Sequence, residues 1–391
     1  MSLTQAGPVE SAVRAIEADL IALRRDLHRH PELSFEEHRT SQMVAQRMKG
    51  LGLDVHTGVG GTGVVADLFG RRSGPRILIR ADMDALPIDE ETELPFSSKV
   101  EGVMHACGHD AHVAALVGAA VLLSSMRDQL RGSIRFCFQP AEEILSGADK
   151  MIADGVMENV DGVIGGHVLS MMPLGNLAIV RGPFLAGADF FDLIIQGRAG
   201  HAGMPHSSID PIYAAAKVID TLQSIVARET KPGEPLVVSI SSIHAGTSAN
   251  VTSEDVHLQG NLRWFSESER SRALARIRAI ADGVAKSLRA KAKLTITASA
   301  PVTVNTDSYV DLIQSVVHET RWATAKATDP LTASDDFARY LQKAPGIYFG
   351  VGAGKPRAAP HHHPKFEIDE RSIGGLCELL VRCALSSTSA V

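Results

Sequence analysis

The chain lacks the features that would assign it to several specialised classes of protein. Only four of its 391 residues are cysteines, and only Cys377 and Cys383 lie close together in sequence. Scattered cysteines exclude a disulfide-stabilised scaffold and favour a reducing compartment, so we expect the cytoplasm. No block of basic residues is present and the formal net charge is −6, which argues against nucleic acid as a partner.

Long apolar runs are also missing. The first twenty residues contain no basic segment followed by an apolar one, so no signal peptide is expected. The longest apolar stretch, near residues 111–123, is too short and too rich in alanine to span a bilayer. We therefore expect no membrane partner.

What is present is an ordinary globular composition, with 45% hydrophobic residues over a length that favours two or three domains. Amphipathic helical patterns cover residues 15–30 and 36–52, and short apolar runs such as RILIRADM and SIRFCFQP follow as strands. This alternation predicts an α/β fold, a mixed-sheet catalytic domain with helices on both faces.

The pattern changes between residues 184 and 299. Strands and helices there follow the order β-α-β-β-α-β, which is typical of a ferredoxin-like α+β domain. We expect residues 184–299 to form an inserted domain, and residues 1–183 and 300–391 to form one discontinuous α/β domain around it.

Polar side chains follow three predicted strands at the point where each strand ends. Asp82 and Asp84 follow the first, Glu142 and Glu143 the second, and His167 the third. Functional groups in open α/β sheets collect beyond the carboxyl ends of the strands, so these loops are expected to share one cleft.

The stretch MHACGHDAHVAALVGAA, residues 104–120, crowds soft and ionisable groups at the start of a buried helix. Cys107 and His109 are good ligands for zinc or a similar ion. Two other interpretations stay open here: a buried cysteine beside a helix-capping histidine, and a nucleophilic cysteine. His105 and His112 receive no assigned chemistry.

Several further motifs carry candidate donors. Adjacent carboxylates at Glu142 and Glu143 can divide cation binding from proton transfer, although a solvated helix start is the alternative. Three consecutive histidines, His361 to His363, precede a proline in a loop. In the inserted segment, His201 lies among glycines, and Asn250 and Arg263 offer donors suited to a carboxylate.

Taken in order, seven motifs resemble the M20 metallopeptidase family in its amidohydrolase branch, which includes hippurate hydrolases, auxin-conjugate hydrolases and N-acyl-amino-acid deacylases. The resemblance extends from about residue 20 to 385. The motifs are RRDLHRHPELSFEEHRTS, RADMDALPI, MHACGHDAH, FQPAEE, GGHV, GRAGHAGMPH and HHPKFEIDE.

The resemblance implies a role for each matching residue. Cys107 would bridge two divalent ions, and Glu142 would be the general base. His201 would reach the active site of a partner subunit, and Asn250 and Arg263 would bind substrate. Arg80 stands where many M20 peptidases outside this branch carry a histidine ligand, so Asp82 and Asp84 would support the ligands. The remaining ligands would be His109, Glu143, His167 and His362.

The family further implies a reaction and an assembly. We expect a dinuclear metal-dependent amidohydrolase that cleaves an N-acyl amino acid to a carboxylic acid and a free amino acid. Zinc, manganese, cobalt and nickel all suit the ligands. The inserted domain would serve as a lid and dimerisation domain in a homodimer or homotetramer. A metallo-dipeptidase or carboxypeptidase and a non-catalytic binding protein are the alternatives.

Overall fold

The computed structural model describes residues 7–326 and 328–389. Its chain divides into two compact units. The first unit comprises Met1–Phe184, Thr303–Asp329 and Asp335–Val391. The second unit comprises Leu185–Val302 and Pro330–Ser334.

The helices of the described residues are α1 (Pro8–Arg29), α2 (His38–Gly50), α3 (His109–Ser125), α4 (Gly147–Ala153), α5 (Pro211–Leu222), α6 (Glu267–Ser287), α7 (Asp307–Glu319), α8 (Ala338–Leu341) and α9 (Arg371–Ser389). The strands are β1 (Asp54–Val59), β2 (Gly63–Phe69), β3 (Arg72–Asp82), β4 (Arg131–Gln139), β5 (Gly162–Pro173), β6 (Asn176–Ala178), β7 (Gly182–Leu185), β8 (Gly187–Gln196), β9 (Gly200–His201), β10 (Val237–Ala245), β11 (Val251–Thr252), β12 (Asp255–Trp264), β13 (Lys291–Ala300), β14 (Thr303–Asn305), β15 (Thr324–Lys326) and β16 (Gly346–Gly354).

The first unit is built on an eight-stranded sheet in the order β1-β2-β4-β3-β5-β16-β6-β15. β4, β3, β5 and β16 run parallel to one another. The antiparallel pairs are β1 with β2, β2 with β4, and β6 with β16. The prediction of a mixed sheet is confirmed. The parallel centre brings the ends of β3 and β4 to one edge, because parallel strands end on the same side.

Helices cover both faces of this sheet, as alternate residues of β4 show. Phe136 belongs to the core that includes residues of α1, α3 and α9. The next residue, Cys137, faces the opposite way and contacts Met151 of α4 and Tyr340 of α8. α3 is buried along almost its whole length, as its alanine-rich sequence predicts.

The second unit holds a four-stranded sheet in the order β10-β12-β8-β13, with α5 and α6 packed on it. Together with the chain order this is the predicted ferredoxin-like arrangement. Residues 330–334 join this unit because the backbone N–H of Ala186 donates to the carbonyl oxygens of Leu331 and Ala333, at 3.0 and 2.9 Å.

β5 is longer than the sequence suggests. The strand was predicted to end at His167, but it continues to Pro173. Its pairing with β3 nevertheless ends at Gly165, while its pairing with β16 continues past His167. On the β3 side, His167 therefore lies beyond the paired part of the strand, which is where a strand-end residue was expected.

Candidate metal centre

The loop before α3 brings Cys107 and His109 to the same buried position. Gly108 lies between them with a φ of 94°, a left-handed conformation that glycine adopts without strain. A β-carbon at Gly108 would lie 2.5 Å from Cγ2 of Val168, so the close approach also requires glycine. α3 begins directly at His109 and gives the loop a buried support.

Five candidate ligands form two groups that share Cys107. Within each group the donor atoms lie within 4.8 Å of one another. Thiolate, imidazole and carboxylate together make a donor set that zinc and similar ions accept. The groups are Cys107 with His109 and His167, and Cys107 with Glu143 and His362.

Two atoms of this centre are buried without a hydrogen-bond partner among the described residues. They are Nε2 of His109 and Oε1 of Glu143, and they lie 3.8 Å apart. Buried polar atoms are satisfied in the great majority of cases, so two orphaned donor atoms side by side indicate an external ligand. The residues present therefore fit a divalent cation.

Backbone contacts fix the orientation of two histidine rings. Nδ1 of His109 donates to the carbonyl oxygen of Asp84 at 2.9 Å, and Nδ1 of His167 donates to that of Val168 at 2.7 Å. A carbonyl oxygen only accepts, so Nδ1 of each ring carries a proton and Nε2 is the nitrogen left for a metal ligand bond. Nε2 of His167 lies 3.5 Å from Sγ of Cys107.

The electrostatics of the centre favour a bound cation. Burial, followed by the charges of Glu143 and Glu142, raises the pKa of the Cys107 thiol well above its usual range. Burial lowers the pKa of His109, but Asp82 and the other carboxylates outweigh this and raise it to about 10. Both shifts show an excess of negative charge that a divalent cation would neutralise.

The turn after β4 presents Glu142 and Glu143. The backbone N–H groups of these two residues donate to the two carboxylate oxygens of Asp84, each at 3.1 Å. Asp84 therefore holds the turn through its backbone, and its carboxylate is occupied by these contacts. A role of Asp84 in supporting the ligands stays a prediction.

The two adjacent carboxylates have different surroundings. Glu143 lies 3.4 Å from Nε2 of His362, and burial raises its pKa to about 8 despite the opposing charge of His109. Glu142 lies instead beside Asp335 and Asp336. Burial, followed by the charge of Asp335, raises the pKa of Glu142 well above its usual range. This difference is what a division between ligand and proton carrier requires.

The three consecutive histidines, His361 to His363, differ in their contacts. His361 places Nδ1 3.7 Å from Sγ of Cys107, but its Nε2 accepts the backbone N–H of Ser170 at 3.2 Å. That acceptance leaves the ring proton on Nδ1, which then has no lone pair for a cation. His362 directs Nε2 toward Glu143, and Nδ1 of His363 accepts the N–H of Lys365.

His201 lies in the second unit on β9, and Asn250 lies in the turn directly before the paired strand β11. The backbone N–H of Ala202 donates to the carbonyl oxygen of Asn250 at 3.0 Å, which keeps the two segments together. Both side chains are exposed. Nδ1 of His201 accepts the N–H of Gly203 at 3.0 Å, so the ring presents Nε2 outward as a donor.

Arg263 lies on β12, also in the second unit. Its guanidinium lies 5.3 Å from the centre of the Phe190 ring and donates to the Ser334 hydroxyl. Its Nε also donates to Asn261 at 3.4 Å. These contacts hold the side chain in one orientation, as a residue that pairs with a carboxylate requires.

Residues 78–386 match the family described as Peptidase family M20/M25/M40. The chain belongs to the M20 peptidase family. It is 40% identical to thermostable carboxypeptidase 1 of Saccharolobus solfataricus over 97% of this chain and 98% of that one. It is also 39% identical to N-acetylcysteine deacetylase of Bacillus subtilis, over 93% of this chain and 95% of that one.

A solved structure of this family supports the same assignment. The Bacillus subtilis YxeP protein, described as a dinuclear metal binding peptidase from the M20 family, has a TM-score of 0.81 and 34% identity. The match covers 97% of this chain and all of the other. The present protein is accordingly a metal-dependent hydrolase that acts on amides. Among its described residues no helix is long and apolar enough to cross a membrane.

Sequence reasoning left His112 of this M20 enzyme without a role. The ring is buried; its Nδ1 donates to Asp82 at 2.6 Å and its Nε2 accepts the N–H of Val168 at 3.0 Å. His112 therefore connects Asp82 to the strand position next to His167. The short spacing from His109 to His112 on one helix was the available signal, since residues i and i+3 share a face.

Asp335 and Asp336 were also missed. Arg80 is fully buried and pairs with Asp82, Asp335 and Asp336 at 2.6, 3.0 and 3.1 Å. One guanidinium thus ties the end of β3 to a segment more than 250 residues away. The buried arginine was a signal, because an arginine at such a position needs carboxylate partners, but the sequence does not say which.

Proposed function

We propose that this chain is a dinuclear amidohydrolase that cleaves the amide bond of an N-acyl amino acid, releasing a carboxylic acid and a free amino acid. The observation that carries the proposal is the pair of donor groups sharing Cys107, with Glu142 directly beside them. The similarity to an N-acetylcysteine deacetylase supports an N-acyl substrate.

The ligands would be Cys107, as the bridge, with His109, Glu143, His167 and His362. Two divalent ions bound there would acidify a shared water and polarise the substrate carbonyl. Zinc, manganese, cobalt and nickel all suit this mixed donor set. Metal analysis of active protein, expected at two ions per chain, tests this part of the proposal.

Glu142 would be the general base. Its buried carboxylate lies 3.9 Å from Nε2 of His109, at the edge of the ligand set. From this position the carboxylate could take a proton from water and pass it to the leaving amine. Asp84 contributes by holding the backbone of the same turn.

The second unit would supply the remaining groups. His201, with its outward donor, would stabilise the oxyanion in the active site of a partner subunit. Arg263 and Asn250 would hold the free carboxylate of the amino acid. We further propose a homodimer or homotetramer in the cytoplasm; the four free, buried cysteines suit a reducing compartment. Sedimentation measurements on the purified protein test the assembly.

A carboxypeptidase or dipeptidase is the second candidate, because the chain is also similar to a thermostable carboxypeptidase. Both reactions release a free amino acid, and only the acyl side differs. N-acetyl, N-benzoyl and indole-acyl amino acids, assayed beside free dipeptides after loading with each metal, separate the two. A higher kcat/KM for dipeptides would overturn the N-acyl proposal.

A further inference from the structure

The motif HPELSFEEH, residues 30–38, contributes no ligand or base, yet Glu37 contacts the turn that carries Glu142 and Ser34 contacts Asp84, which holds the same turn. We propose that Glu37 is a positioning residue, which fixes the direction of the Glu142 carboxylate by holding the backbone of Ala141. This inference rests on the proposed role of Glu142 as the general base.

The contact is direct and buried. Oε1 of Glu37 accepts the backbone N–H of Ala141 at 2.9 Å, and the Thr62 hydroxyl donates to Oε2. The Glu37 side chain is fully buried. Ala141 has a φ of 52°, a left-handed conformation that costs about 1 kcal/mol or more for a residue other than glycine and needs support from its surroundings.

Glu37 and Asp84 together accept hydrogen bonds from three consecutive backbone N–H groups. Asp84 accepts the N–H groups of Glu142 and Glu143, and Glu37 accepts that of Ala141. Ser34, from the same motif, donates to Asp84 at 2.7 Å. The backbone N–H groups of Ala141, Glu142 and Glu143 are therefore fixed by the carboxylates of Glu37 and Asp84. Of the two, Glu37 is the acceptor for the N–H of Ala141, the residue that leads into Glu142.

The neighbouring glutamate, Glu36, lies in a different environment from Glu37. Glu36 is exposed, and its carboxylate lies 3.5 Å from the exposed ring of His38. Burial raises the pKa of Glu37, so its function depends on reach and hydrogen bonding more than on full charge. A glutamine, which has the same length and a carbonyl oxygen, is thus a close replacement, whereas an aspartate is one methylene too short.

Two substitutions separate reach from charge. Glu37→Asp keeps the charge and loses the reach, and we expect kcat to fall about 10- to 100-fold with KM and metal content unchanged, because a displaced catalytic group costs that much. Glu37→Gln keeps the reach and is expected to stay within about threefold of the parent in kcat. Glu36→Gln is the matched control and should be unchanged.

Amide hydrogen exchange supplies a readout that does not depend on activity. The peptide covering residues 140–146 should exchange faster in Glu37→Asp than in the parent and Glu37→Gln, because the Ala141 amide loses its acceptor. If Glu37→Asp does not fold, Thr62→Val, which removes the hydroxyl contact, is expected to lower kcat about two- to fivefold. Thr62→Ser, which keeps the hydroxyl, should restore it.

The outcomes distinguish this inference from the proposed function. Unchanged kcat and exchange in Glu37→Asp, or equal losses in Glu37→Asp and Glu37→Gln, would overturn the positioning role. Glu142→Gln belongs in the same series. If that variant turned over normally, the proposed base would be wrong, whereas the exchange result on the 140–146 turn would still stand or fall by itself.

Discussion

The residues of the metal centre in the first unit are mostly buried and held by their own surroundings, whereas two candidate residues of the second unit, His201 and Asn250, are exposed. Cys107, His109 and Glu142 are buried, and backbone or carboxylate contacts fix the segments that carry them. His201 lies on the short strand β9 and Asn250 lies in the turn before β11, which pairs with β9. This contrast indicates that the metal centre is preorganised within one unit, while His201 and Asn250 depend on a substrate or partner surface for their final positions.

The largest loss of activity is expected from Glu142→Gln in the first unit. The amide cannot take a proton from water, so kcat should fall about 10²- to 10⁴-fold, while the metal content stays near two ions per chain. Steady-state kinetics and metal analysis on the same preparation measure both. Glu91→Gln, at an exposed position, is the control, and normal turnover by Glu142→Gln would contradict the assignment.

His201→Ala tests whether the second unit contributes a group to catalysis. Loss of an oxyanion donor should lower kcat about 10²- to 10³-fold without loss of metal. If the site is shared across a dimer, mixing His201→Ala chains with Glu142→Gln chains restores part of the activity. His206→Ala, in the same exposed loop, should change little. Absence of any recovery in the mixture would argue that each chain is catalytically self-contained.

The ligand register among the three histidines gives a smaller effect. His362→Ala should lose one ion on dialysis and about 10- to 100-fold in activity, because Glu143 and Cys107 remain to bind weakly. His361→Ala and His363→Ala should keep two ions, since one ring nitrogen of each accepts a backbone N–H. Loss of the ion in His361→Ala alone would reverse the assignment.

Much of this molecule follows from local sequence, and the exceptions have a common cause. The C-x-H spacing at Cys107 and the strand patterns are local, so the α/β class and the ferredoxin-like order were predictable. The family motif already indicated His362, but the contact that occupies His361, the backbone N–H of Ser170, is revealed by no spacing. The acids that meet Arg80 and the contact from Glu37 to Ala141 likewise come from distant segments, and only the folded topology brings them together.

The mildest test compares one ion pair from each unit. Burial raises the pKa of Glu90, but the hydrogen bond and charge of His28 outweigh it and lower the pKa to about 2. A depressed pKa contributes stability above the unfolded value of about 4.5, and this contribution is lost as the pH falls toward 2. In the second unit, Glu229 pairs with Arg276 at 2.7 Å on the surface.

We therefore expect Glu90→Gln to lower the free energy of unfolding by about 1–2 kcal/mol at pH 7. The difference from the parent should shrink as the pH falls from 4.5 toward 2, which denaturant unfolding at several pH values measures. Glu229→Gln should have no measurable effect, since exposed pairs contribute little. Equal losses in both variants would mean that the first unit's polar contacts are no more stabilising than surface pairs, and the contrast between the units would then rest on the metal ligands alone.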